Sequence, residues 1–143
     1  MLQSQAEILL NSWASVVNDA VDRKTLSIGI HVRIGSLIFR YIQDGGLLEC
    51  LGQLLPYAGR LSNKERTLRR LRSYADVHPR FVENASIEIA FIDLENQITE
   101  QIVLRLAYQN PPSRDSFVAD MQRLSQNAYG WRKRHIVDSL RPR

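Results

Sequence analysis

Apolar residues along the chain recur with two different periods, and the changes of period divide it into elements. Over residues 3–20, Leu9, Trp13, Val16, Val17 and Ala20 recur at spacings of three and four, which predicts an amphipathic helix. From Ile28 the period drops to two. Ile28, Ile30, Val32 and Ile34 alternate with Gly29, His31, Arg33 and Gly35, a pattern that a helix would scatter around its circumference and a strand places on one face. Gly35-Ser36 then predicts a two-residue type II′ turn into a second strand, Leu37 to Ile42. After the turn signal Asp44-Gly45-Gly46, the run Leu47 to Leu55 ends at Pro56 and is read as the third strand of the same meander, with helix as the competing reading.

Ser62-Asn63-Lys64-Glu65 has the S-x-x-E spacing of a capping box, in which the Ser and Glu side chains satisfy orphan amides reciprocally. A helix is therefore expected from there, with Leu68, Leu71 and Ala75 on one face, arginines on the others and Pro79 as its limit. Period two returns at Ile87, Ile89 and Phe91, and again at Ile102, Leu104, Leu106 and Tyr108, with Asp93 to Gln97 as the hairpin connection. Pro111-Pro112 stops the last strand because proline cannot donate to the ladder. Ser113 then suits the N-cap of a final helix whose apolar stripe is Phe117, Met121, Leu124, Ala128 and Trp131. The order helix, three strands, helix, two strands, helix predicts an α+β fold with an antiparallel sheet.

Composition sharpens this picture in three ways. At 143 residues and 44% hydrophobic, the chain has the size and apolar content of one globular domain, residues 1–143, with enough material for a core. No stretch approaches the roughly 20 apolar residues of a membrane-spanning helix, and no secretory signal is read at the N-terminus. A single Cys excludes an intramolecular disulfide, so a reducing, cytoplasmic compartment is expected.

The formal charge of +4 matters less than its placement. Arg132, Lys133, Arg134, Arg141 and Arg143 against Asp138 alone account for all of it, so residues 132–143 form a basic C-terminal segment on a neutral body. A second cluster, Lys64, Arg66, Arg69, Arg70 and Arg72, is opposed locally by Glu65 and offset by acids elsewhere. Either cluster reads as a solvated face or as a phosphate-binding patch, with Arg132, Lys133 and Arg134 beside Trp131 the clearest basic patch.

No constellation of residues points to catalysis. His31, His78 and His135 have no metal-ligand spacing, and Cys50 among leucines reads as a buried thiol. Glu88 and Glu100 could face each other across the last hairpin, where two carboxylates would be its wet face. No phosphate-cradling glycine loop or nucleophile elbow occurs. The expectation is a protein without enzymatic activity, cofactor or metal.

The element order resembles that of the class I chaperones of type III secretion, which hold effector proteins ready for export. The stations that carry the resemblance are Ala6 to Val17, Ser27 to Pro56 with its Leu-Gly-Gln-Leu-Leu-Pro ending, Glu65 to Ala75, Ala85 to Tyr108 with Leu104-Arg105-Leu106, and Ser113 to Trp131. The resemblance implies a cytoplasmic homodimer around which the N-terminal region of an effector wraps in extended form, its apolar side chains in grooves and sometimes a strand added to a sheet edge. By that analogy the dimer contacts fall on the middle helix at Leu68, Leu71 and Tyr74. Effector contacts fall on the first helix and the sheet at Leu9, Trp13, Ile30, Val32, Phe39 and Leu104. The plainer reading of each residue is core packing. Two other readings stand beside this one: a small basic domain that binds RNA or an acidic membrane surface in the manner of a viral matrix protein, and an all-helical interaction domain.

Overall fold

The computed structural model describes residues 1–18, 31–55, 64–77, 85–94 and 97–139, and for residues 55, 64, 74–77, 94 and 134–139 the backbone alone. The first helix, α1, runs over Gln3–Val17 and turns Ala6, Leu9, Leu10, Trp13 and Ala14 inward. At its start the Leu2 amide donates to Gln5 Oε1 at 2.8 Å, and at its end Asn18 adopts the left-handed conformation that closes many helices. Strands β1 (His31–Ile34), β2 (Leu37–Ile42) and β3 (Leu47–Leu55) form the antiparallel meander, so the helical reading of residues 47–55 falls away. Gly35 sits at φ +63° while Ser36 keeps a negative φ, the signs a type II′ turn requires.

Helix α2 (Lys64–Val77) follows, then β4 (Ser86–Leu94), β5 (Gln97–Tyr108) and α3 (Arg114–Ser139). All strand pairs are antiparallel and the sheet order is β1-β2-β3-β5-β4. The molecule is thus α+β in the expected order.

Alternation along the strands builds the main core on one sheet face. Ile34, Leu37, Phe39, Leu48, Cys50, Leu54, Ile87, Ile102, Leu104 and Leu106 meet the apolar faces of α1 and α3 there, together with Leu71 of α2. The expected stripe of α3 is buried throughout, from Phe117 to Trp131. Helix α3 approaches β3 closely because position 52 is Gly: a Cβ there would stand 2.7 Å from the Ala128 Cβ. On the opposite sheet face, Ile38, Leu51, Ala90, Ile92 and Val103 form a second, smaller cluster.

The sheet bends around that second cluster. Arg40 Nη1 on β2 donates to the Phe91 carbonyl on β4 at 2.9 Å, although β3 and β5 lie between those strands in the order. In a flat sheet β2 and β4 would be about 14 Å apart, beyond an arginine's reach. β1 and β4, the two ends of the order, also approach each other. A register shift at Gln53/Leu55 on β3 supplies an irregularity of the kind that increases twist.

Three expectations are corrected. The last hairpin is longer than its apolar runs suggested: Asp93 and residues 97–101 are strand, and only residues 95–96 separate β4 from β5. Its register opposes Glu88 to Val103 and Glu100 to Phe91, so the two carboxylates lie on opposite faces rather than facing each other. The final helix does not stop at Trp131 but runs to Ser139, so Arg132, Lys133 and Arg134 are helical. Residues 19–30 (including Ile30), the Ser62 cap and Pro79 lie outside the described residues.

Candidate binding surfaces

Of the candidate effector-contact residues, Leu9, Trp13, Phe39 and Leu104 belong to the protein's own core, and Ile30 lies outside the described residues. Leu9, Phe39 and Leu104 are buried, and Trp13 is 3% exposed with its indole N–H donating to the Ile34 carbonyl at 3.1 Å. Ring and polar tip are both satisfied internally. Val32 packs half-buried against the same cluster. The physical reason is coverage: α1 and α3 lie on the sheet face that the alternating positions build, so these residues face helices rather than a groove. On α2, Leu71 is buried, Leu68 is half-buried against the core with part of its surface lining an open groove, and Tyr74 lies in the same helix. In the basic patch, Arg132 Nη1 donates to the Gln53 carbonyl at 2.8 Å and ties α3 to β3, Lys133 is exposed, and Arg134 occupies the following position of the helix.

The apolar surface that does face outward lies at the far end of the β4–β5 hairpin. Phe91 is 63% exposed and Ile98 70%. Phe91 pairs with Glu100 and Asp93 with Ile98, so the two apolar side chains are diagonal neighbours on one sheet face, ringed by carboxylates. Closer to the helices, Ile87 on that face is buried and Ile89 half-buried, so the hairpin extends its apolar stripe beyond the layer that covers it. The period-two run through Phe91 marks the stripe in the sequence, but the hairpin's extra length is carried by polar residues. The remaining exposed apolar side chains, Leu2 before α1, Ile8 and Val16 on α1, Ile42 on β2 and Tyr129 on α3, are scattered, as is ordinary for a protein surface.

The outer edge of β4 is closed by arginines. Arg72 Nε donates to the Ile87 carbonyl at 3.0 Å and Arg40 to that of Phe91. Positions 87 and 91 are an even number apart, so both carbonyls point off the same edge, away from β5. Capping them with charged side chains blunts the edge against strand pairing.

A charged row crosses the face behind the main core. Glu49, 4% exposed, lies 2.6 Å from Arg105 Nε and 3.0 Å from Arg40 Nη2. The first contact is a hydrogen bond; the second is an ion pair outside hydrogen-bonding alignment, leaving Oε1 without a hydrogen-bond donor. His31 is the cross-strand partner of Arg40, and its Nε2 is buried without a hydrogen bond. Burial, then the Arg40 charge, lower its pKa against the opposing pull of Asp93 and Glu49, so the neutral imidazole is favoured. Below this row a polar ladder runs from Arg33 through Gln53 and Gln101 to Thr99.

Burial also raises the pKa of Cys50 well above the usual thiol range, which suits a packed thiol rather than a nucleophile. The Tyr108 hydroxyl is pushed up by burial and by its 2.6 Å bond to Asp120. Among the described residues no group of three or more His, Cys, Asp or Glu could hold a metal, and no helix is long and apolar enough to cross a membrane.

On α2 the outward side carries Arg66, Arg69, Arg70 and Arg72, all exposed, with Glu65. An open groove of about 400 Å³ runs along one flank of the helix, lined by Glu65, Leu68, Arg69, Arg72 and Ser73. No protein-family model, curated protein or solved structure matches the chain.

Proposed function

We propose that this protein is a non-enzymatic binding protein that holds an extended segment of a partner, in the manner of a type III secretion chaperone keeping an effector soluble and ready for export. The observation that supports it best is the pairing of a well-filled core with an uncovered apolar stripe at Phe91 and Ile98, on a hairpin that projects past the helices. An extended chain presents alternate side chains at the spacing such a stripe accepts. The element order, with α1, the meander, α2, the hairpin and α3, is the order that carries the family resemblance. Contact moves from Leu9, Trp13, Phe39 and Leu104, which are in the core, to the hairpin. With the β4 edge closed by Arg72 and Arg40, the partner docks on the hairpin face rather than adding a strand at that edge.

This reading makes the protein a cytoplasmic homodimer without a cofactor. Co-expression with the proteins encoded beside its gene tests it. One of them is expected to be solubilised and to co-purify with the wild-type protein, and to be lost with Phe91→Ser/Ile98→Ser. A protein that solubilises no neighbour and sediments as a monomer at micromolar concentration would remove the proposal.

A further inference from the structure

We propose that the outward flank of α2 is a docking surface for an acidic segment of another protein. The inference does not rest on the chaperone reading, which concerns the β4–β5 hairpin. Of the side chains described on α2, Arg66, Arg69, Arg70 and Arg72 are exposed and Glu65 is the single acid. Three features distinguish this side from an ordinary solvated helix face. One part of it is concave, a groove of about 400 Å³ lined by Glu65, Leu68, Arg69, Arg72 and Ser73. Its floor is apolar, because Leu68 packs half-buried against the core and lines the same groove. Finally, Arg72 is anchored by its Nε to the Ile87 carbonyl, which fixes its guanidinium at the junction of α2 and β4 and lowers the ordering cost of a contact made there.

Charge complementarity selects an anionic occupant, and the surroundings select a peptide over a nucleic acid. A helix of 14 residues is about 21 Å long, so the basic strip is short. Along β4 and β5, on the sheet face that carries Ile87, stand Asp93 and Glu100. A polynucleotide has evenly spaced phosphates and would run into those carboxylates on leaving the helix. A peptide can confine its acids to the strip and place an apolar side chain over Leu68. Arginine suits such recognition because its planar fork meets a carboxylate with two parallel hydrogen bonds.

Fluorescence anisotropy on the full chain tests this, with a labelled 12-residue peptide of alternating Glu and Leu, the same peptide with Gln for Glu, and single-stranded dT20. The Glu peptide is expected to bind at low salt at least about tenfold more tightly than the Gln peptide, and to weaken as salt screens the contact. Arg69→Gln, at the groove, is expected to weaken binding about fivefold or more while leaving the melting temperature unchanged, since the side chain is exposed. Phe91→Ser, which disables the hairpin surface, is expected to leave peptide binding within about twofold, so the two proposals fail separately. Equal binding of the Gln peptide, dT20 binding as tight as the Glu peptide, or indifference to the arginine substitution would overturn the inference.

Discussion

Three residues carry testable consequences by themselves. Gly52 is needed for close approach, since a methyl group there would meet Ala128 at 2.7 Å on the facing helix. Gly52→Ala is expected to destabilise the fold by about 1–3 kcal/mol, as overpacking does. In chemical denaturation the loss should shrink when Ala128→Gly is already present, although that change costs the helix about 1 kcal/mol alone. Glu49 stands between two guanidiniums, so Glu49→Gln leaves both without their counter-charge. Breaking a fully buried pair costs roughly 3–5 kcal/mol; here both arginine side chains keep 26% of their surface exposed, and about 2–3 kcal/mol is expected from urea midpoints. His31 has a folded-state pKa below its unfolded value, so the unfolded chain takes up the proton first. Stability from this group is present above the unfolded value near 6.5 and is lost as pH falls below it. Thermal melts between about pH 7.5 and 5 should therefore fall more steeply for the wild type than for His31→Asn.

Among the elements, the hairpin is where structure and sequence pattern part company. The meander, the α3 stripe and the type II′ turn are legible because each follows from local chemistry: alternation, helical spacing and a glycine at the position needing positive φ. The length of β4 and β5 is not legible, since Gln97, Thr99 and Gln101 are polar residues that join the strand by pairing across the hairpin with Leu94, Ile92 and Ala90 rather than by an apolar alternation of their own. Extension of α3 past Trp131 is hidden for a related reason: Arg132 reads as a solvated charge, yet it is anchored to the Gln53 carbonyl on β3. Periodicity finds apolar faces but does not say which of them are covered. Phe39 and Phe91 are both strand residues on the same sheet face, and only the placement of α1 and α3 separates the buried one from the exposed one. It follows that Phe91→Ser should change unfolding free energy by no more than about 0.5 kcal/mol in denaturant titration, whereas Phe39→Ala should cost about 3–5 kcal/mol.

For the whole molecule, the arrangement separates stability from binding. Among the described residues, a core shared by the five strands and the three helices consumes the apolar faces of α1, α3 and most of the sheet. Outside it stand a hairpin end with two large apolar side chains and a helix flank of arginines, both next to an edge strand on which the Ile87 and Phe91 carbonyls accept from arginines. On the proposed reading a partner is held without rearranging the fold, and the exposed residues at these surfaces can be changed without unfolding the protein. The central claim is that the β4–β5 hairpin receives an extended segment. The most direct test is amide hydrogen exchange on the complex co-purified with a neighbour-encoded protein. Slowed exchange is predicted at residues 86–94 and 97–108 and in one N-terminal stretch of the partner, with the rest of that region still exchanging rapidly. Unchanged exchange across the hairpin, with protection elsewhere on the chain, would contradict the account.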